Sequence, residues 1–140
     1  MNTKNTLKPY NVICFAIILL LDQVQSNLTP IHVRIMNRRG NGKSIEVHCQ
    51  SVDNDLDNQV VPDGNEVKWT FRENIWGNTR FFCYLQWNST FNFHFDAYMS
   101  DRDDSGRCFT ECLWKILEEG LYGYDQENKI WQLFYLAVKD

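Results

Sequence analysis

The sequence TRFFCYLQWNSTFNFHFDAY, residues 79–98, decides the fold class of this chain. Apolar residues occupy every second position on both sides of a polar Asn-Ser-Thr break. They are Phe81, Cys83, Leu85 and Trp87 before the break and Phe91, Phe93, Phe95 and Ala97 after it. A period of two indicates strands that bury one face, and the polar break indicates a turn between them. The stretch therefore predicts an antiparallel hairpin.

The same alternation continues along the rest of the chain, with turn residues between the segments. The inward positions that it predicts are Val33, Ile35, Ile45, Val47, Cys49, Val67, Trp69 and Phe71. A last hairpin is expected to turn at residues 125–128. Short strands at this spacing predict an all-β fold, a small antiparallel β-sandwich. The aromatic stripes could line a ligand pocket, but we interpret them as the core of the sandwich.

The segment TECLWKILEE, residues 110–119, could form a helix or a strand. Leu113 and Leu117 have helical spacing, whereas Trp114 and Ile116 alternate with their polar neighbour as in a strand. We predict a strand, on the reasoning that Cys112 must meet a cysteine on another strand.

The N-terminus has the organisation of a secretory signal peptide. A basic start precedes the apolar run at 11–21, and Val24 and Ser26 have the spacing of small residues before a cleavage site. We predict a signal peptide at 1–26 and a single domain at 27–140; an uncleaved signal anchor is the alternative. The protein is then secreted and extracellular.

Removal of the signal peptide makes the chain more acidic. It takes away Lys4, Lys8 and Asp22 and leaves 12 basic and 17 acidic residues, a net charge of −5. This charge argues against a nucleic-acid partner, which would require clustered basic residues. No second apolar run reaches the roughly 18 residues of a membrane span, so we expect no membrane insertion of the mature chain.

Four cysteines remain in the mature chain: Cys49, Cys83, Cys108 and Cys112. An even number in a small secreted domain predicts two disulfides, and the spacing fits neither a zinc site nor a redox C-x-x-C pair. We favour Cys49–Cys112 with Cys83–Cys108, and the crossed arrangement is the alternative. A Cys108–Cys112 bridge is disfavoured because its ring would be very small.

Two sequons carry a possible glycan. Asn88, in Asn88-Ser89-Thr90, lies between two aromatic strands, where a hairpin turn would expose it. Asn27, in Asn27-Leu28-Thr29, would be the first mature residue and is the poorer acceptor.

The chain offers little that could carry out catalysis. His32, His48 and His94 are expected on the polar sides of their strands, and no G-x-S-x-G motif occurs. The acidic residues at 53–57 lack the glycine and glutamate of a calcium loop. We therefore expect a protein without enzymatic activity, with no catalytic residue, metal or cofactor.

Two acidic segments, 51–59 and 100–107, are predicted to be loops, each beside a cysteine. Loops on rigid scaffolds are where binding residues concentrate. The candidate receptor-contacting residues are Asp53, Asp55, Asp57, Asp101, Arg102, Asp103 and Asp104. The alternative is that these charges only keep the protein in solution.

Several motifs together resemble the plant self-incompatibility S-protein family, also called S-protein homologues. The resemblance runs from about residue 31 to residue 131. It is carried by His48-Cys49, by PDG…W-x-F from Pro62 to Phe71, by FFC…QW from Phe81 to Trp87, and by C-x3-C-x-W from Cys108 to Trp114.

The resemblance implies a small secreted β-sandwich with two disulfides and no known enzymatic activity. In poppy the family's stigma protein is a ligand that a membrane protein on incompatible pollen recognises. The resemblance thus favours a secreted ligand for a cell-surface receptor in cell–cell signalling. The alternative is a secreted defence or carbohydrate-binding protein, which an exposed planar cluster of Trp side chains would favour.

Overall fold

The computed structural model describes residues 8–27, 29–88 and 92–137, and these residues form one helix followed by a β-sandwich. Helix α1 spans Pro9–Asn27. The strands are β1 (Pro30–Asn37), β2 (Ile45–Gln50), β3 (Asp55–Val61), β4 (Glu66–Arg72), β5 (Arg80–Gln86), β6 (Asn92–Met99), β7 (Glu111–Leu117), β8 (Gly120–Asp125) and β9 (Ile130–Leu136). A short helix α2 (Ser100–Arg102) continues into a π-helical turn (Asp103–Arg107) between β6 and β7.

The strands form two sheets. The first sheet has the order β4-β1-β7-β8-β9 and the second has the order β3-β2-β5-β6. All neighbours are antiparallel except β1 and β7, which run parallel. The all-β fold class is confirmed, with one parallel pair in a sandwich that is otherwise antiparallel. The parallel pair arises because residues 100–110 carry the chain from the edge of the second sheet into the middle of the first.

The alternating apolar residues fill the space between the sheets, as the sequence predicted. Trp114 is fully buried and donates from its indole Nε1 to the backbone oxygen of Ala97, 2.9 Å away on the other sheet. The rings of Phe71 and Phe81 also meet across the sheets, with centroids 4.7 Å apart. The aromatic stripes are therefore core, and predicted inward Phe91 lies outside the described residues.

The prediction of a strand after Cys108 is confirmed, although its reasoning is wrong. Strand β7 is fixed by its parallel register with β1, in which Cys112 lies opposite Val33 and Trp114 opposite Ile35. Cys112 does not reach a cysteine on another strand. The final hairpin is also confirmed, because β8 ends at Asp125 and β9 begins at Ile130.

The predicted disulfide pairing is wrong. The bridges are Cys49–Cys83 and Cys108–Cys112, and neither Cys49–Cys112 with Cys83–Cys108 nor the crossed arrangement forms. Cys49 and Cys83 are opposite one another on the neighbouring strands β2 and β5, with Cα atoms 4.0 Å apart. Strand adjacency, which alternation does not reveal, decides this pair.

The small ring between Cys108 and Cys112 forms because the chain bends sharply there. The two Cα atoms are 5.0 Å apart, within the normal range for a disulfide. Gln126, from the β8–β9 turn, holds the bend. Its Oε1 accepts from the backbone N–H groups of Phe109, Thr110 and Glu111 at 3.1–3.2 Å.

The N-terminal predictions are only partly covered by the structure. Residues 1–7 lie outside the described part, and cleavage after Ser26 and the division into 1–26 and 27–140 stay predictions. Within the described residues, no helix has the length and apolar character that crossing a membrane requires. Asn88 is exposed just after β5, while Leu28, Ser89 and Thr90 of the two sequons lie outside the described residues.

Candidate recognition surface

The strand directions bring four connections to one end of the sandwich, which we call the loop end. They are residues 51–54, 73–79, 100–110 and 126–129. Hydrogen bonds tie them to one another: Ser100 donates from its N–H and its hydroxyl to the Thr79 oxygen, and Gln126 N–H donates to the Arg107 oxygen. Both acidic segments predicted from the sequence therefore begin at the same end.

The first acidic segment is shorter than predicted, because its second half belongs to edge strand β3. Asp55 already pairs with Gln50 of β2, and only 51–54 form a loop. The His48 ring Nε2 lies 2.6 Å from Asp55 Oδ1, and the Asp57 backbone N–H donates to the same oxygen at 2.9 Å. These two hydrogen bonds lower the pKa of Asp55. Asp53 is exposed at the tip of the loop.

The second acidic segment is not a free loop. Asp103 is fully buried beneath it and binds two arginines. Arg102 donates to both carboxylate oxygens at 2.7 and 2.8 Å, and Arg107 Nε donates to Oδ1 at 2.5 Å. The Met99 backbone N–H adds a fourth hydrogen bond at 2.8 Å. The prediction that Asp103 contacts a receptor is therefore wrong, because a buried carboxylate with these partners is part of the frame, and Arg102 is engaged with it.

The arginines of this cluster also pack on aromatic rings. The Arg107 guanidinium lies 4.6 Å from the centroid of the Trp114 ring and 5.4 Å from that of Phe134. Burial acts to raise the pKa of Asp103, but the hydrogen bonds and charges of Arg102 and Arg107 outweigh it and lower that pKa. Asp101 and Asp104 are exposed above this buried cluster.

The β4–β5 loop is a part of this surface that the sequence reasoning missed. Asn74 organises it: its N–H donates to Thr79 Oγ1 at 2.9 Å, and its side chain exchanges hydrogen bonds with Asn78. Gly77, with φ of +64°, supplies the left-handed turn that a side chain would strain. The loop projects Ile75 and Trp76 into solvent, 69% and 80% exposed.

A signal for this loop was present in the sequence. Ile75 and Trp76 stand between asparagines and a glycine, in a stretch without strand alternation, so they have no face to bury. An apolar pair inside turn chemistry predicts exposure, and exposed Trp side chains are frequent anchors in protein interfaces.

A groove of about 360 Å³ separates the β4–β5 loop from the first acidic loop. Residues 51–54 form one wall, and Asn74 with residues 78–81 forms the other, with Phe71 and Arg72 also lining it. Val52, 97% exposed, stands at the rim. The loop end thus combines exposed acids with exposed apolar side chains around a depression.

The aromatic face expected of a carbohydrate-binding protein is not what the described residues form. Trp131 and Tyr124 pack on the outside of the first sheet at 53° to each other, with centroids 5.1 Å apart, so they make no flat platform. The Lys115 ammonium lies 4.3 Å from the Trp131 ring centroid. Trp76, which is more exposed than Trp131, is on the β4–β5 loop.

The histidines lie apart, as their strands require. His32 contacts Thr70, His48 contacts Asp55, and His94 packs against Tyr84. In the described part of the chain, no three His, Cys, Asp or Glu side chains are grouped so that they could hold a metal ion.

Comparison with known proteins gives consistent matches. The family model described as plant self-incompatibility protein S1 matches residues 32–136. Self-incompatibility protein S1 of Papaver rhoeas is 54% identical over 110 residues, which cover 79% of each chain. S-protein homolog 5 of Arabidopsis thaliana is 34% identical over 117 residues, covering 81% of this chain and 89% of the relative. No solved structure matches.

Proposed function

Because this chain belongs to the plant self-incompatibility protein S1 family, we propose that it is a secreted, non-enzymatic protein ligand, and that its loop end is recognised by a cell-surface receptor protein. The observation that carries the proposal is the concentration of exposed acidic and apolar side chains on loops fixed to a rigid frame. The name of the Papaver rhoeas relative associates that protein with self-incompatibility.

Charge supports a role of the loop end in association. Asp53, Asp101 and Asp104 are exposed there, and no hydrogen bond or ion pair engages their carboxylates within the described residues. A receptor surface with basic residues would attract them over several ångströms and accelerate encounter. Asp57, exposed on β3, flanks this set.

Exposed apolar side chains at the loop end would slow dissociation of the proposed complex. Large apolar surface is exposed to water at Val52, Ile75 and Trp76. If the loop end served only solubility, a polar residue would be adequate at each of these positions, so their apolar character favours a binding role. Burial of one such side chain contributes about 1.5–3 kcal/mol. We assign Trp76 the role of anchor in an apolar pocket of the receptor, with the aspartates as its rim.

The frame beneath these loops limits the entropy lost on binding. Asp103 with Arg102 and Arg107 fixes residues 100–107, the Cys49–Cys83 disulfide fixes the start of 51–54, and the Asn74 network fixes 74–79. Loops that are already ordered lose less freedom when they bind, which raises affinity. Arg102, Asp103 and Asp55 therefore position the surface in this proposal and are not its contacts.

The proposal is tested by binding of tagged mature protein to cells of the source plant, followed by surface crosslinking. The first variant carries Asp53→Asn, Asp101→Asn and Asp104→Asn. The control carries Glu46→Gln, Glu118→Gln and Glu119→Gln, which remove the same charge away from the loop end. We expect only the first variant to bind more slowly and to lose most of the salt dependence of association.

A second variant, Trp76→Ala, tests the anchor. We expect it to increase the dissociation rate, whereas the control Val60→Ala, exposed on strand β3, leaves it unchanged. Both variants must keep the parent's circular dichroism spectrum. Binding that survives all loop-end changes would place the receptor site elsewhere, and parent protein that binds no cell surface saturably would refute the receptor-ligand function.

A further inference from the structure

Strand β9 is an exposed, apolar strand at the edge of the first sheet. Its sequence IWQLFYL contains no charge, and every residue in it is exposed. Ile130, Leu133 and Leu136 have about half or more of their surface in water, at 50%, 49% and 60%. Because β9 is the last strand of the first sheet, the hydrogen-bonding edge away from β8 has no neighbouring strand in the described part of the chain.

The other described sheet edges carry protection against pairing. Strand β4 carries charges along its length, and β3 carries two aspartates, a register shift against β2 and a left-handed residue at Asp57. Strand β6 carries His94 and Asp96 and a register shift against β5. Charges and bulges are the usual means by which edge strands avoid joining other chains.

Strand β9 has a bulge as well, but its position leaves most of the edge regular. The register shift places Phe134 out of step, between Leu133 and Tyr135. Phe134 packs edge-on against Trp114 at 4.8 Å, and Tyr135 stacks on Phe93 at 4.3 Å. These two rings hold the strand on the core, and from Ile130 to Leu133 the pairing with β8 is continuous.

We propose that β9 is a self-association surface, at which β9 of a second copy of this chain pairs antiparallel about a two-fold axis. The two five-stranded sheets then form one continuous sheet. A two-fold interface requires a surface that complements itself, which an uncharged apolar strand does. Two mature chains, each with a predicted net charge of −5, repel one another over most approaches, whereas the side chains of β9 itself carry no charge.

The available area fits a reversible dimer. From the exposed fractions, the apolar side chains of β9 present roughly 600 Å² to water, so a symmetric pair would bury at most about 1,200 Å², the lower limit of specific interfaces. An interface of this size is typical of partners that associate reversibly.

The geometry leaves the loop end free. Antiparallel pairing of β9 with β9 directs the two loop ends away from each other, so the dimer presents one at each pole. The self-association therefore does not depend on the proposed receptor function and can be tested without a receptor.

The first experiment measures the mass of the mature protein by sedimentation velocity and light scattering over a wide concentration range. A background with Asn27→Gln and Asn88→Gln removes any glycan mass at the two sequons. We expect a monomer–dimer equilibrium with no larger species. A protein that remains monomeric throughout, or that forms open-ended oligomers, overturns the proposal.

The second experiment places charge near the two-fold axis. Leu133→Lys and Leu133→Glu proteins should each be monomeric, because like charges meet, and an equimolar mixture should regain the dimer as a heterodimer. The control Val60→Lys changes an exposed apolar residue on edge strand β3 and should dimerise as the parent does. Dimers of Leu133→Lys alone, or a mixture that stays monomeric, overturn the proposal.

Folding of each variant is checked by circular dichroism before its mass is interpreted. If the Leu133 variants do not fold, Gln132→Lys and Gln132→Glu replace them, since Gln132 is the exposed neighbour of Leu133 and also lies near the two-fold axis. The same two outcomes then decide the question.

Discussion

The two acidic segments of this protein have similar composition and begin at the same end of the sandwich, yet they are built differently. In the first, Asp53 and Asp57 face water, and Asp55 is held only by exposed hydrogen bonds. In the second, Asp103 is fully buried and receives four hydrogen bonds, three of them from two arginines.

The difference lies in the arginines and not in the acids. The first segment contains no basic residue, so burial of its carboxylates would leave charges without partners. The second contains Arg102 and Arg107, which neutralise Asp103 and stack on Trp114. In this protein, the acidic segment without basic residues keeps its carboxylates exposed, whereas the segment that contains arginines buries one of its carboxylates.

The largest effect is expected from Asp103→Ala. Removal of this carboxylate leaves Arg107, itself largely buried, without its partner, and breaking a buried pair in this way costs about 3–5 kcal/mol. Urea unfolding of the mature protein measures the loss. Asp104→Ala, the exposed neighbour, is the control, and equal losses for both would contradict the buried role of Asp103.

The disulfides beside the two segments are expected to contribute differently to stability. Cys49–Cys83 spans 34 residues and Cys108–Cys112 spans four, so the chain-entropy model predicts losses of about 4 and about 2 kcal/mol when each pair is changed to alanine. Thermal or urea unfolding of the two double variants tests the order. A larger loss for the short ring would show that its bend, and not loop closure, dominates.

The pH dependence of stability separates the two segments further. The pKa of Asp103 is lower in the folded than in the unfolded chain, so its contribution is complete above the unfolded value of about 3.9 and is lost as the pH falls below it. Asp103→Asn should therefore flatten the acid side of the stability profile. The pKa of Asp55 is also lowered, but solvent screens its exposed pair, so Asp55→Asn should change the profile less.

The smallest effect on stability is expected from the exposed aspartates. Asp53→Ala and Asp101→Ala should each change the free energy of unfolding by about 0.5 kcal/mol or less, because neither carboxylate has a partner to lose within the described residues. Urea unfolding measures this. A loss near that of Asp103→Ala in either variant would mean that the carboxylate supports the frame.

The sequence by itself determined the fold class and the inward faces of the strands. Alternation at Phe81, Cys83 and Leu85 is a local property of extended chain, and burial of one face follows from it. The final hairpin and the core role of the aromatics followed in the same way. The family resemblance could also be identified from the sequence, because it is carried by short motifs.

Only the tertiary structure decided which strands are neighbours, and the wrong disulfide pairing came from that. The adjacency of β2 and β5 joins Cys49 to Cys83, and Gln126 of the β8–β9 turn holds the bend that joins Cys108 to Cys112. The burial of Asp103 combines Arg102 and Arg107, which belong to its own segment, with the ring of Trp114 on β7, against which both arginines pack. Alternation records which way a side chain faces, whereas pairing depends on contacts between residues far apart in sequence, which no local pattern encodes.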